Sequence, residues 1–380
     1  MQIPFGKPIL DENERAAVMD VLSGPILVHG PKATEFEAAF AAFTNAPHAI
    51  SVSSCTAGLH LAYFAKGIGV GDEVIVPAMT HTATAHAVEF TGATPVFVDA
   101  ETETGNIDID AIEPAITDKT KAISIVHFLG MPVDMVRINA IAKKHSLLVV
   151  EDAALAVGTM LDGVHAGLMG DVGAFSFYPV KHMTTAEGGM VLTQDAELAK
   201  TIQLKKAFGV DRTHGERKVP GTYDVVDLGY NYRMSELHAA IGIEQVKKLP
   251  DFLAKREVNF QTLETALGEI DEIELLQSTN GRFKSSYYCL SVILKQPFVQ
   301  KRPDIMEAMK NQGVGTSIYY PQPVPRMTYY RKKYGYDAKA YPNAERISDQ
   351  SIALPVGPHL TQDDMKKVAA ALKQAISEVK

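Results

Sequence analysis

A chain of 380 residues with 46% hydrophobic and 22% charged residues is too long for one hydrophobic core and too apolar for disorder, so a large domain with a satellite is expected. A formal net charge of -8 argues against a broad nucleic-acid-binding face, and no uninterrupted apolar run reaches the roughly 18 residues of a membrane span. Two cysteines make no disulfide framework, no Cys/His cluster has zinc spacing, and the first residues lack a charged segment leading into an apolar run, so a soluble cytoplasmic protein without a metal is expected.

In chain order, the first informative stretch is 50–59, where a strand-like run passes through Ser51, Ser53 and Ser54 into a helical pattern at Cys55, Thr56 and Ala57. The free amides and dipole of such a helix start suit a phosphate, although Ser or Thr there is also an ordinary N-cap. Apolar, β-branched runs at 73–76, 95–98, 122–127 and 147–150, separated by helical patterns such as 133–144, imply βαβ units. The predicted class is therefore α/β, with a mostly parallel sheet, helices on both faces and ligand sites at the carboxyl ends of the strands.

The run at 147–150 ends in Glu151 and Asp152. An acid at that place can hold a cationic ring nitrogen in its protonated form, or it can merely cap the next helix. Residues 174–177 form a strand-like piece that leads to Lys181 and a turn of small residues, before a second strand at 190–193. A lysine among such neighbours is desolvated, which lowers its pKa and frees the neutral amine that attacks an aldehyde; the alternative is a surface lysine in a hairpin. Ser235 starts a long amphipathic pattern, and a domain boundary is placed near Leu249 and Pro250. This gives a large domain over 15–248 and a smaller α+β domain over 249–380, with residues 1–14 packing on the latter. Thr361 and Asp364 have capping-box spacing ahead of Met365, Val368, Leu372, Ile376 and Val379 on one face of a terminal helix.

Together these segments resemble the DegT and DnrJ family of sugar aminotransferases over nearly the whole chain. The likeness begins at Gly30, Pro31, Phe36 and Glu37, and continues through Val76, Pro77 and the string Gly-Ala-Thr-Pro-Val-Phe-Val-Asp at 92–99. It includes Gly-Tyr-Asn-Tyr-Arg-Met-Ser-Glu-Leu at 229–237. The resemblance implies an aspartate-aminotransferase-like fold, pyridoxal 5'-phosphate as cofactor and a homodimer with sites at the interface. It implies Lys181 as the Schiff-base lysine and Asp152 as the partner of the pyridine nitrogen. Thr56, Ala57 and Ser176 would then contact the phosphate, Asn231 would reach the phosphate of the neighbouring subunit, and His81 would stack on the cofactor. The implied reaction carries an amino group, with glutamate as donor, to a nucleotide-linked keto-deoxysugar. The turn at 184–189 resembles that of members acting at the 4-position of a 4-keto-6-deoxyhexose. Arg212 and Arg217, in the mixed-charge loop 211–218, are candidates for gripping the anionic part of the substrate, against the alternative of a solvated surface loop.

Three positions depart from the family pattern. Leu155 stands where many members carry glutamine or histidine, and Cys55 and Ala186 replace common glycines. The methyl group of Ala186 disfavours a positive φ, so the turn is expected to differ from that of its relatives. A sugar dehydratase of the same fold, which carries histidine in place of the lysine, is the enzymatic alternative, and His182 beside Lys181 bears on it. A non-catalytic regulator is the other alternative.

Overall fold

The computed structural model describes residues 2–211 and 222–379. The strands are β1 (His48–Val52), β2 (Glu73–Pro77), β3 (Thr94–Val98), β4 (Thr120–Val126), β5 (Leu148–Asp152), β6 (Met160–Leu161), β7 (Val164–His165), β8 (Val172–Ser176), β9 (Gly189–Thr193), β10 (Ile273–Leu275), β11 (Phe283–Lys284), β12 (Leu290–Leu294) and β13 (Ser351–Leu354). The helices are α1 (Glu12–Ser23), α2 (Pro31–Thr44), α3 (Cys55–Ala65), α4 (Thr82–Glu89), α5 (Ile112–Ala115), α6 (Met135–His145), α7 (Ala196–Lys205), α8 (Glu236–Leu267), α9 (Arg302–Asn311), α10 (Thr328–Tyr334), α11 (Pro342–Gln350) and α12 (Gln362–Glu378).

Among the described residues a seven-stranded sheet has the order β1-β9-β8-β5-β4-β2-β3. Strands β3, β2, β4, β5 and β8 run parallel, while β9 is antiparallel to both β8 and β1. The expected mostly parallel sheet is therefore present, and each predicted strand falls within one or two residues of an observed one. The pairing of Asp152 with Ala174 brings the carboxyl ends of β5 and β8 side by side. Helix α3 lies on this sheet through Gly58, where an added Cβ would come within 2.9 Å of Val191 and 3.1 Å of Ala174.

Helix α8 starts on the Ser235 N-cap and continues through Pro250 without a break. Its first half packs Ala239, Val246 and Leu249 with Phe36, Phe175 and Phe177. Its second half packs Phe260, Leu263 and Leu267 into a separate core with β12, β13 and α12. Leu249 and Pro250 thus lie inside one helix whose two halves join different core clusters. Ile3 joins the second core and bridges to Val314. Helix α12 carries the Thr361 and Asp364 capping box and buries Met365, Val368, Leu372 and Ile376. No helix among the described residues is long and apolar enough to cross a membrane.

The two glycines that close the turn before β9 have a steric reason. A Cβ on Gly189 would lie 2.5 Å from the Ser54 carbonyl carbon and 2.7 Å from the Cys55 amide, so a methyl group there pushes β9 off the start of α3. Gly189→Ala is expected to lower stability by about 1–3 kcal/mol, the usual cost of overpacking. Chemical denaturation followed by circular dichroism measures it, and an unchanged midpoint would show that α3 can retreat without loss.

Candidate active site

The carboxyl end of β5 sets the first part of the site. Asp152 is 4% exposed. Its Oδ2 accepts a hydrogen bond from the Thr84 hydroxyl at 2.7 Å, and its Oδ1 accepts from the Ala154 amide at 3.0 Å. The Cys55 thiol lies 3.8 Å from Oδ1 and 3.4 Å from the Ala174 carbonyl, so its single proton is divided between two acceptors. Burial pushes the Cys55 pKa well up, and the negative charge of Asp152 adds to this, so the thiol stays protonated.

Lys181 follows β8 at the opening of the small-residue turn. Desolvation lowers its pKa, against the opposing pull of the Asp152 charge, which increases the fraction of neutral amine. Its Nζ lies 5.5 Å from the centroid of the Tyr288 ring, and the Tyr288 and Tyr319 hydroxyls share a hydrogen bond of 2.7 Å. The turn is braced from within. The Thr184 hydroxyl donates to the Phe177 carbonyl at 3.0 Å and accepts from the Ala186 amide at 3.0 Å, and the Thr185 hydroxyl donates to the Glu187 carbonyl at 2.7 Å. Ala186 adopts φ 67°, contrary to the expectation that its methyl group would keep it out of that region. Because Ala186 is exposed, the methyl meets little resistance from neighbours, and the braced turn holds a conformation that costs an alanine about 1–2 kcal/mol. The turn keeps a shape that glycine would adopt freely.

His182 has different surroundings from Lys181. It is buried, its Nε2 lies 3.0 Å from the Ser286 carbonyl, and burial together with the Arg256 charge lowers its pKa well below the usual range. A neutral histidine tied to the backbone of the C-terminal segment has no evident share in chemistry at Asp152.

His81 caps α4, with Nδ1 accepting from the Ala83 amide at 3.1 Å, and its exposed ring meets Tyr320 edge-on with centroids 5.6 Å apart. Desolvation of its inner side lowers its pKa although Asp152 pulls the other way. At the start of α3 the Ala57 amide donates to the Ser54 hydroxyl at 3.1 Å. Thr56, in the same first turn, has an amide with no intrahelical acceptor by geometry. Ser176 ends β8, half-buried, with the Tyr178 amide 3.4 Å from its hydroxyl. Asn231 is exposed, next to Tyr232, whose carbonyl accepts from the Ser53 amide at 2.8 Å just ahead of α3. Arg212 and Arg217 lie outside the described residues.

Tyr288, Tyr319, Tyr320 and Thr84 are the site neighbours that sequence reasoning did not single out. Thr84 lies three residues after His81, in the run Met-Thr-His-Thr-Ala-Thr at 79–84, whereas the tyrosines come from segments with no motif of their own. Pyridoxal phosphate requires an amine for its aldehyde, an anion for its ring nitrogen, a flat ring beside it and donors for its phosphate. Lys181, Asp152, His81 and the pair Thr56 and Ser176 are chemically suited to these four needs.

Residues 8–373 match the DegT/DnrJ/EryC1/StrS aminotransferase family. The chain is 39% identical over 379 residues to the spore coat polysaccharide biosynthesis protein SpsC of Bacillus subtilis (strain 168), covering 98% of this chain and 97% of SpsC. Its fold is similar to that of Spr1654 from Streptococcus pneumoniae, assigned as a sugar aminotransferase, in its PLP form. The TM-score is 0.93 at 29% identity, over 100% of both chains. PseC of Helicobacter pylori, an aminotransferase involved in the biosynthesis of pseudoaminic acid, gives a TM-score of 0.92 at 27% identity, again over 100% of both chains. With the family match spanning almost its entire length, the chain belongs to the DegT/DnrJ/EryC1/StrS aminotransferase family and is a pyridoxal-phosphate-dependent aminotransferase.

Proposed function

We propose that this aminotransferase takes an amino group from glutamate and delivers it to the 4-position of a nucleotide-linked 4-keto-6-deoxyhexose, as a cytoplasmic homodimer. The observation that carries the reading is one desolvated amine, Lys181, within the field of one buried, hydrogen-bonded carboxylate, Asp152. Bound pyridoxal phosphate supplies an electrophilic aldehyde and an electron-drawing ring. Lys181 would hold the cofactor's aldehyde through Nζ and, as a free amine, would serve as the base that carries the proton. Its lowered pKa keeps that amine available as a base. Asp152 would face the ring nitrogen and keep it protonated, His81 would lie against the ring, and Thr56, Ala57 and Ser176 would receive the phosphate.

Several features support the finer parts of this reading. The descriptions of SpsC and PseC concern polysaccharide and pseudoaminic acid biosynthesis, which favours an amino sugar destined for a glycan. The glycine-like φ of Ala186 keeps the turn beside Lys181 close to the pattern on which the 4-position rests. Leu155 is buried in an apolar cluster with Tyr288, Cys289 and Tyr320, so the polar group common at that place in the family is replaced by packing. Arg212 and Arg217 would grip the diphosphate. Near the exposed Asn231, Tyr223, Val225, Val226 and Leu228 are each more than half exposed, an apolar surface that suits a second subunit. Both cysteines are buried and unpaired, in keeping with a reducing compartment.

Borohydride reduction followed by peptide mapping should place the pyridoxyl label on Lys181, and Asp152→Asn should retain cofactor while losing roughly 100-fold or more of its transamination rate. A label on another lysine, or near-normal turnover in Asp152→Asn, would remove the roles given to these residues. When 4-keto and 3-keto nucleotide sugars are each offered with glutamate, NMR of the products should show amination at the 4-position; amination confined to the 3-position would overturn the regiochemistry alone. Inactive Lys181→Ala and inactive Asn231→Ala subunits should regain part of the activity in mixed dimers, and no recovery in verified mixed dimers counts against shared sites.

A further inference from the structure

The hydroxyl groups behind Asp152 form a chain that ends on its carboxylate. Thr84 Oγ1 donates to Asp152 Oδ2 at 2.7 Å, and Thr80 Oγ1 lies 2.6 Å from Thr84 Oγ1. Both threonines are fully buried. A threonine hydroxyl has one hydrogen; with that of Thr84 given to the carboxylate, the bond between the two threonines must be donated by Thr80. On the other oxygen, the Ala154 amide is a donor that cannot reverse. Each oxygen of Asp152 thus faces one donor at 3.0 Å or less, an arrangement that suits a carboxylate acting as an acceptor opposite a protonated ring nitrogen. The Thr84 amide also donates to the His81 carbonyl at 3.1 Å, so one helix start fixes both the stacking ring and the acid.

We propose that Thr84, oriented by Thr80, is a positioning residue that holds Asp152 as an ionised acceptor aimed at the ring nitrogen of the cofactor. This rests on the role proposed above for Asp152. Neither threonine touches substrate, so the relay acts on the reacting ring only through the carboxylate. Loss of a charge-assisted hydrogen bond at a buried acid is expected to slow the reaction on the order of 10- to 100-fold.

The test compares the holoenzyme with Thr84→Val, which is nearly isosteric but lacks the hydroxyl, Thr84→Ser, which keeps it, Thr80→Val, and Asp152→Asn. Each variant is first shown to be folded by circular dichroism and to bind cofactor by absorbance titration. For Thr84→Val the expectation is weaker cofactor binding, a lower kcat for the glutamate half-reaction at nearly unchanged KM, and a displaced pH titration of the cofactor's visible absorption. Thr84→Ser should restore all three, and Thr80→Val should shift them in the same direction by less. A folded Thr84→Val with wild-type spectra and kcat overturns the relay, as does a Thr84→Ser no better than Thr84→Val, since a missing hydroxyl would then not be the cause. An impaired Asp152→Asn beside an unimpaired Thr84→Val dismisses the relay alone, whereas a normal Asp152→Asn dismisses the role of the acid and the relay with it.

Discussion

Placing a half-buried amine beside a buried carboxylate costs each of them hydration, and the rest of the site follows from how unequally that loss is offset. Asp152 receives the Thr84 hydroxyl and the Ala154 amide directly, with the Cys55 thiol nearby. Lys181 has a tyrosine ring at 5.5 Å and the field of Asp152, which is not enough to cancel desolvation, so its pKa falls. The same burial therefore anchors an acid and makes an amine reactive. A fold that supplied hydrogen-bond partners to both, donors for the acid and acceptors for the amine, or to neither, would lose this contrast.

The adjacent residue of β5 shows how the strand keeps that acid in place. Alternation along the strand sends Glu151 to the opposite face from Asp152. There its Oε1 accepts the Met169 and Gly170 amides at 2.8 and 2.6 Å, and its Oε2 accepts the Gly167 amide at 2.7 Å and lies 2.9 Å from His127 Nε2. Because His127 Nδ1 accepts from the Val133 amide at 3.1 Å, the ring proton sits on Nε2 and is donated to Glu151. The loop after β7 then passes so close to β8 that a Cβ on Gly173 would lie 2.2 Å from the Gly167 Cα. One carboxylate thus ties β4, β5 and this loop together, while its neighbour in sequence faces the chemistry.

What could be read from the sequence was what local pattern determines. The strand runs, the Ser235 start of α8 and the Thr361 capping box depend on periodicity and caps, and each appears in the structure. The tyrosines against Lys181 and His81 come from positions 288, 319 and 320, more than 100 residues away in the chain, and no local pattern marks which aromatic residues face a site. Pro250 removes one hydrogen bond from the ladder of α8, and packing on both sides carries the helix through it. Ala186 departs from the expected φ because intrinsic preference is only about 1–2 kcal/mol, and the Thr184 and Thr185 hydrogen bonds that hold the turn outweigh it. The string at 229–237 has a structural reason as well, since Glu236 accepts the Lys32 and Ala33 amides at 2.7 and 3.2 Å and caps α2. A Cβ on Gly30 would lie 2.4 Å from that carboxylate.

A hollow of about 1660 Å³ lies away from Lys181, between α2, β1, α7 and the segment leading to α8. Its floor carries the half-buried Glu37, which accepts from the Ser51 amide and hydroxyl at 2.8 and 2.7 Å and from Lys206 at 3.1 Å, while Lys206 also donates to the Ser51 carbonyl at 2.9 Å. Those charges are occupied with one another, and burial lowers the Lys206 pKa further, so the floor offers little to a charged metabolite. Its rim carries the exposed apolar side chains Val28, Phe208, Tyr223 and Val225. A wide groove with a satisfied polar floor and an apolar rim is matched to a protein surface rather than to a small polar molecule. Arg233 and Met234, which line the groove, follow Tyr232, whose carbonyl accepts from the Ser53 amide at 2.8 Å just ahead of α3, so the groove and the start of α3 share one segment of chain.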